Sequence, residues 1–216
     1  MTQRGKIFTK KFIINSWFMG KDNMLYLIII LISMTLISVF NYIFYVSSFG
    51  FNLIYIIVAV FLTTILEILV NGLFAFAVRR FLPKKWFSVD KKHFSAGKKE
   101  RAFYEKIGIK KWKDKVLELG CFTNFSKSKI SDPKSVEYVE RYIIEANYGI
   151  ICHAVIIPAS FLVIFLYPLK YWFCFGLPVA LVSIFLNVLP LFILRYNLPK
   201  LHTLYKINAK RARQKD

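Results

Sequence analysis

Two places in this chain of 216 residues bring together side chains that could do chemistry. One is His153, set among Ile150, Ile151, Val155 and Ile156 and preceded by Glu145 eight residues earlier. Histidine titrates near neutral pH and is the side chain best suited to general-base work there. An ionisable group inside an apolar stretch is a functional candidate by default. The plainer reading is a neutral histidine satisfied by a helix neighbour. The other place is the run from Glu100 to Asp114, ERAFYEKIGIKKWKD, which sets two carboxylates, a Trp and an Asp in a basic loop. A solvated connection has no use for that many aromatic and aliphatic residues, so the run is expected to be a folded site.

Other chemistries find little support. Cys152 adjoins His153, but neighbours on a helix point about 100° apart, which disfavours a Cys/His pair. Cys121, Cys152 and Cys174 show no metal-ligand spacing, and His93, His153 and His202 form no pair on one helix face, so no metal is expected. There is no Gly-rich phosphate loop and no internal repeat, and no cofactor is called for. Glu67, with Asn71 one turn away, reads as a polar helix contact or as part of a substrate site.

The elements that must position these residues follow from composition. With 56% hydrophobic and 18% aromatic residues, the chain exceeds an ordinary globular domain and reads as an integral membrane protein. Apolar blocks at 24–46, 51–78, 150–169 and 171–194 can each cross a hydrocarbon core of roughly 30 Å as a helix of about 20 residues. The expected fold class is therefore an all-α membrane protein with four transmembrane helices and a folded, largely helical cytoplasmic loop between helices 2 and 3. The first block is too long for a cleavable signal, and Val46-Ser-Ser-Phe-Gly50 is a poor cleavage site.

The organisation then reads as a basic interfacial segment (1–23), a helical hairpin (24–78), a cytoplasmic loop carrying the site (79–149), a second hairpin (150–194) and a basic tail (195–216). Net charges of +4, +9 and +6 fall on the first, third and fifth of these, within a total of +19. By the positive-inside rule both termini and the loop are cytoplasmic in a multi-pass cell-membrane protein. The charge is explained by topology and by attraction to anionic phospholipid headgroups, without nucleic acid. A sharper reading gives Lys84, Lys85, Lys110, Lys111 or Lys113 the phosphates of an activated acyl donor.

Inside the loop, Phe103, Tyr104 and Ile107 predict a helix that Gly108 ends. Trp112 is expected at the lipid interface. Residues 115–133 read as irregular, and a helix starting after Pro133, with Asp132 as its cap, runs through Glu145 into the third apolar block. Residues 5–22 suggest an interfacial amphipathic helix. Pro190 should break the hydrogen-bond ladder of the fourth helix between Asn187 and Arg195.

Glu100-Arg101, Tyr104-Glu105, Gly108-Ile109 and Trp112-Lys113-Asp114, then Glu145 with His153, then Asn187-x-x-Pro190 with Arg195-Tyr196-Asn197-x-Pro199, resemble in order and spacing the glycosyl-4,4'-diaponeurosporenoate acyltransferase family. The resemblance covers about residues 86–202. Tyr148 and Ile150 stand where the family pattern has an Arg and a second acid. What the resemblance implies is transfer of a fatty acyl group from an acyl thioester donor to a hydroxyl of a glycosylated membrane lipid, of carotenoid glycoside type. It implies His153 as base, oriented by Glu145 or Glu105. It also implies Arg195, Lys113, Trp112, Asp114, Arg101, Asn187, Tyr196 and Asn197 around donor and acceptor, with Asp114 pairing to Arg101 or Arg195. A non-catalytic lipid-binding or accessory protein on the same scaffold, and an acyltransferase for another envelope lipid, are the alternatives.

Overall fold

The computed structural model describes residues 21–113, 116 and 132–214, and every described element is helical. Helices α1 (Lys21–Phe49) and α2 (Leu53–Phe81) form the first hairpin. Short 3-10 turns at Lys84–Phe87 and Lys92–Phe94 lead into α3 (Lys98–Lys106) and α4 (Ile109–Trp112). Helix α5 (Val136–Ala159) continues as a 3-10 segment to Leu166, and a π turn at Trp172–Gly176 opens α6 (Leu177–Arg213). Four helical stretches, Tyr26–Phe49, Leu53–Phe81, Val136–Leu166 and Leu169–Arg213, are long and apolar enough to cross a membrane. Residues 5–20 of the expected helix at 5–22, most of the stretch 115–133, Cys121 and Asp114 lie outside the described residues.

Helices that are apolar all round suit a lipid surround rather than a core with one wet face. α5 and α6 pack along each other and α2 lies against α5, whereas α1 leaves side chains such as Leu36 64% exposed. Asn41 on α1 is fully buried, and its amide donates to the Cys174 carbonyl at 2.6 Å, tying α1 to the π turn. A polar group placed in hydrocarbon is costly unless bonded, which makes this a positional lock. Cys152 and Cys174 are both free thiols.

One local detail differs from the sequence expectations. Ser135, rather than Asp132, caps α5: its hydroxyl accepts from the Tyr138 amide at 3.1 Å, while Asp132 accepts from Lys134 and Ser135 in the preceding turn. Helix α6 passes through both Pro190 and Pro199 and carries the basic tail onward as helix to Arg213. A proline in an apolar helix removes one intrahelical hydrogen bond, and neighbouring groups can satisfy the carbonyl it frees. The third helix begins in the loop, as expected, and Gly108, at φ +71°, separates α3 from α4.

At the end of the bundle away from the loop, Gly176 lets two backbones meet. A Cβ there would lie 2.6 Å from the Ile164 Cα and 3.1 Å from the Val163 oxygen. Gly176→Ala should therefore destabilise the protein by about 1–3 kcal/mol through overpacking. The expected drop in melting temperature is measurable in detergent.

Candidate functional site

Arg195 organises the loop end. Its Nε and Nη2 donate to the two oxygens of Glu100 at 2.5 and 2.7 Å, a two-point fork, and Nη1 reaches the His93 carbonyl at 3.5 Å. Such bidentate pairs fix orientation as well as adding energy. The Arg195 backbone adds a further contact. An α-helical carbonyl normally accepts from the amide four residues on, but Pro199 has none. The Arg195 oxygen is instead taken by the Ala96 amide at 3.1 Å. The Arg-Tyr-Asn-x-Pro spacing thus creates a backbone acceptor as well as a side-chain donor for the loop.

Around this anchor, α3 and α4 close onto α6. Tyr104, Ile109, Ile193 and Tyr196 form a buried cluster against which Trp112 and Phe192 pack. Trp112 is half-buried against this cluster, its indole N–H donating to the Ile107 carbonyl at 3.2 Å. The Tyr104 hydroxyl donates to Glu100. Glu105 accepts from the Tyr196 hydroxyl at 3.2 Å and pairs with Lys110 at 3.4 Å and Arg101 at 3.6 Å. Arg101 also lies over the Tyr196 ring, 5.5 Å from its centroid. Lys113 follows α4, and Asn197 sits half-buried on α6 two residues past Arg195.

Electrostatics agree with this geometry. The Arg195 hydrogen bonds hold the Glu100 carboxyl far below its ordinary 4.5, at about 2. Burial, with the Glu100 charge beside it, pushes the Tyr104 phenol up. Tyr196, and then Lys110, draw Glu105 down.

A second polar layer lies deeper. Asn187 is one face of it: its amide nitrogen donates to the Ser183 carbonyl at 2.9 Å, which leaves Oδ1 as the acceptor facing His153 Nδ1, also at 2.9 Å. Neutral His153 then carries its proton on Nδ1, which makes Nε2 the basic nitrogen of the ring. Asn187 is the bonded partner of this ring nitrogen, whereas the family resemblance implies Glu145 or Glu105 as the orienting residue. Glu145 is instead engaged by Arg79 at 2.9 Å, and Arg79 also lies 5.5 Å from the Tyr148 centroid. Eight residues separate Asn187 from Arg195, so the two layers stand about 12 Å apart along α6.

Tyr148 and Ile150 are core residues. Tyr148 stacks on Phe87 with centroids 3.7 Å apart, and Ile150 is buried in the same cluster. Asn147, fully buried, reinforces that seam by donating to the Phe87 carbonyl at 3.0 Å. Beyond Asn187 the polar layer continues through Ser183, which meets Ser160 at 2.9 Å and Asn71 at 3.0 Å. Glu67, 3% exposed, is enclosed by Ser160, Ser183 and Asn71 without a hydrogen bond of normal geometry to either oxygen. A cavity of about 30 Å³ opens beside it.

A model of the glycosyl-4,4'-diaponeurosporenoate acyltransferase family matches residues 83–207, more than half of the chain. The chain belongs to this family. The matched stretch includes the docked loop, the His153–Asn187 pair and the Arg195 anchor of this acyltransferase-family member. Comparisons with curated proteins and with solved structures return no match.

Ala96, Pro199 and Glu100 are the positions whose roles the sequence left unassigned. The Pro199 in the motif was the visible signal, since a helix proline always frees a carbonyl. Two outcomes follow. Glu100 has a lowered folded pKa, so its stabilisation is complete above 4.5 and is lost as pH falls through about 2. Protection factors of the amides across 98–112 should therefore fall between those values, and in Glu100→Gln they should already be low at neutral pH. In Pro199→Ala a new amide competes for the Arg195 carbonyl, so the Ala96 amide should exchange faster while α6 itself becomes more stable.

Proposed function

We propose that this protein is a membrane-bound O-acyltransferase that moves a fatty acyl group onto a hydroxyl of a glycosylated lipid, a carotenoid glycoside or similar, at the cytoplasmic face of the cell membrane. Family membership supports acyl transfer, and four apolar helices support a multi-pass membrane location. The charge distribution, +9 on residues 79–149 against none on the short far-side turns beyond Lys170, supports cytoplasmic termini and loop. The basic flanks are suited to anionic phospholipid headgroups.

The observation that carries the mechanism is the His153–Asn187 hydrogen bond, because it sets a basic Nε2 on a histidine at the inner part of α5. The acceptor hydroxyl gives its proton to Nε2 as its oxygen bonds to the carbonyl carbon of an acyl thioester. The tetrahedral intermediate collapses, the carbon–sulfur bond breaks, and the thiolate recovers the proton from the imidazolium. Asn187 is a positioning residue for the ring. Lys113 is assigned to the developing negative charge. Arg195, committed to Glu100, positions the loop instead of binding the substrate, and Arg101, Tyr196 and Glu105 shape the loop wall. Trp112 and Asn197 are assigned to the acceptor side of that wall, and Asp114 to holding its far end. Glu145 closes the α2–α5 seam through Arg79. The region 79–149 is then the site module between two hairpins.

Burial of Tyr148 and Ile150 at positions where the family pattern is polar favours a second reading, a lipid-binding or accessory protein on this scaffold. Lipid mass spectrometry separates the two: cells carrying the gene should contain a glycolipid heavier by one fatty acyl group. His153→Ala should reduce its formation by about 10²–10⁴-fold, the usual contribution of a general base. Full transfer by His153→Ala would remove the mechanism, and the absence of any acylated species would favour the accessory reading.

A further inference from the structure

An open cavity of about 880 Å³ lies between residues 89–96 and the last turns of α6. Its walls bring together Lys92, Lys206, Lys210 and Arg213, with Asp90 the acid among them. Among the described residues none of the four cations pairs with a carboxylate. Lys206, Lys210 and Arg213 follow a spacing of four and three, which stacks them on one face of α6. Two buried polar atoms in the same wall, Nε2 of His202 and Oγ of Ser95, have no hydrogen-bond partner. An uncompensated buried donor or acceptor is costly. Unpaired cations around two unsatisfied hydrogen-bonding atoms match an anion with several oxygens, and the volume is that of a small-molecule site.

We propose that this cavity binds a phosphate-bearing ligand, its phosphate or diphosphate held by Lys92, Lys206, Lys210 and Arg213. His202, in its Nε2–H form, and the Ser95 hydroxyl donate to the phosphate oxygens. Lysine serves as a point charge for phosphate and arginine adds a planar fork. A single carboxylate would leave most of this charge unanswered. Pro199 lines the cavity, so its near edge lies within one or two turns of Arg195 and the docked loop. A phosphorylated acyl carrier such as coenzyme A would enter beside the proposed acyl-transfer site, and only this choice of ligand rests on that reading. The headgroup of an anionic phospholipid has the same chemistry. Lys84, Lys85, Lys110 and Lys111, the cations that sequence order brings nearest the loop motif, do not line this cavity.

The test uses the full chain in nanodiscs. In discs of phosphatidylcholine, coenzyme A and inorganic pyrophosphate are titrated calorimetrically. In a second arm phosphatidylglycerol is added to the discs and its retention is read by native mass spectrometry. Lys206→Gln/Lys210→Gln should weaken binding by on the order of tenfold, and His202→Ala, which leaves the lysines in place, should weaken it by a smaller factor. Binding of the soluble probes assigns the site to a phosphorylated carrier. Binding of phosphatidylglycerol alone, lost in the same variants, assigns it to a headgroup. Affinities for every probe that are unchanged in both variants, or no binding in either arm, would overturn the proposal. Acyl transfer measured in parallel keeps the two readings apart: transfer intact without phosphate binding removes only the cavity's role, and binding intact without transfer removes only the acyl-transfer reading.

Discussion

Arg195 is the point on which the loop depends. Its guanidinium forks onto Glu100 and its carbonyl, freed by Pro199, accepts from Ala96. A charged pair in water contributes little, but this one is three-quarters shielded on the arginine side and shares its carboxylate with a tyrosine. Without it, a nine-residue and a four-residue helix would have to stay folded on their own. Isolated helices that short are not stable in water. The loop is therefore a tertiary structure built on α6, and the Tyr104–Ile109–Tyr196 cluster is the apolar surface that closes once the fork is in place.

The second constraint is that polar groups within apolar helices need partners. Asn187, Ser160 and Ser183 each meet it through a named contact across helices or to a backbone carbonyl, and Asn41 meets it through its amide nitrogen alone. Glu67 meets it only by enclosure among small polar groups beside a cavity of water size. These contacts fix how the helices are rotated about their axes, and that rotation is what turns His153 toward Asn187. The two layers thus have different physics: an exposed, ionic one at the loop and a buried, neutral one about 12 Å away along α6.

Much of the fold was legible because it depends on length and local chemistry. Four apolar stretches, the Gly108 break and the continuity of α5 from the loop can all be read from periodicity and from residues with restricted backbones. The pairings were harder. Arg195 and Glu100 are 95 positions apart, Arg79 and Glu145 are 66 apart, and Asn41 and Cys174 are 133 apart. Each depends on helix rotation, which uniformly apolar surfaces such as those of α1 and α2 do not encode. Trp112 shows the same limit, since an aromatic residue near a membrane suits either an interface or a core until its neighbours are known. The family resemblance joined the right segments, but the partners that the structure gives Arg195, Glu145, Glu105 and His153, namely Glu100, Arg79, Tyr196 and Asn187, are not readable from it.

In the proposed mechanism the loop and α6 must act as one unit through the Glu100–Arg195 pair. A double-mutant cycle on acyl transfer in isolated membranes tests it most directly, with Glu100→Gln, Arg195→Gln and the double variant compared under identical expression. Groups that act through each other are not additive. The double variant should lose no more activity than the worse single variant; losses that multiply would show that each residue contributes independently and that the pair does not couple the loop to α6.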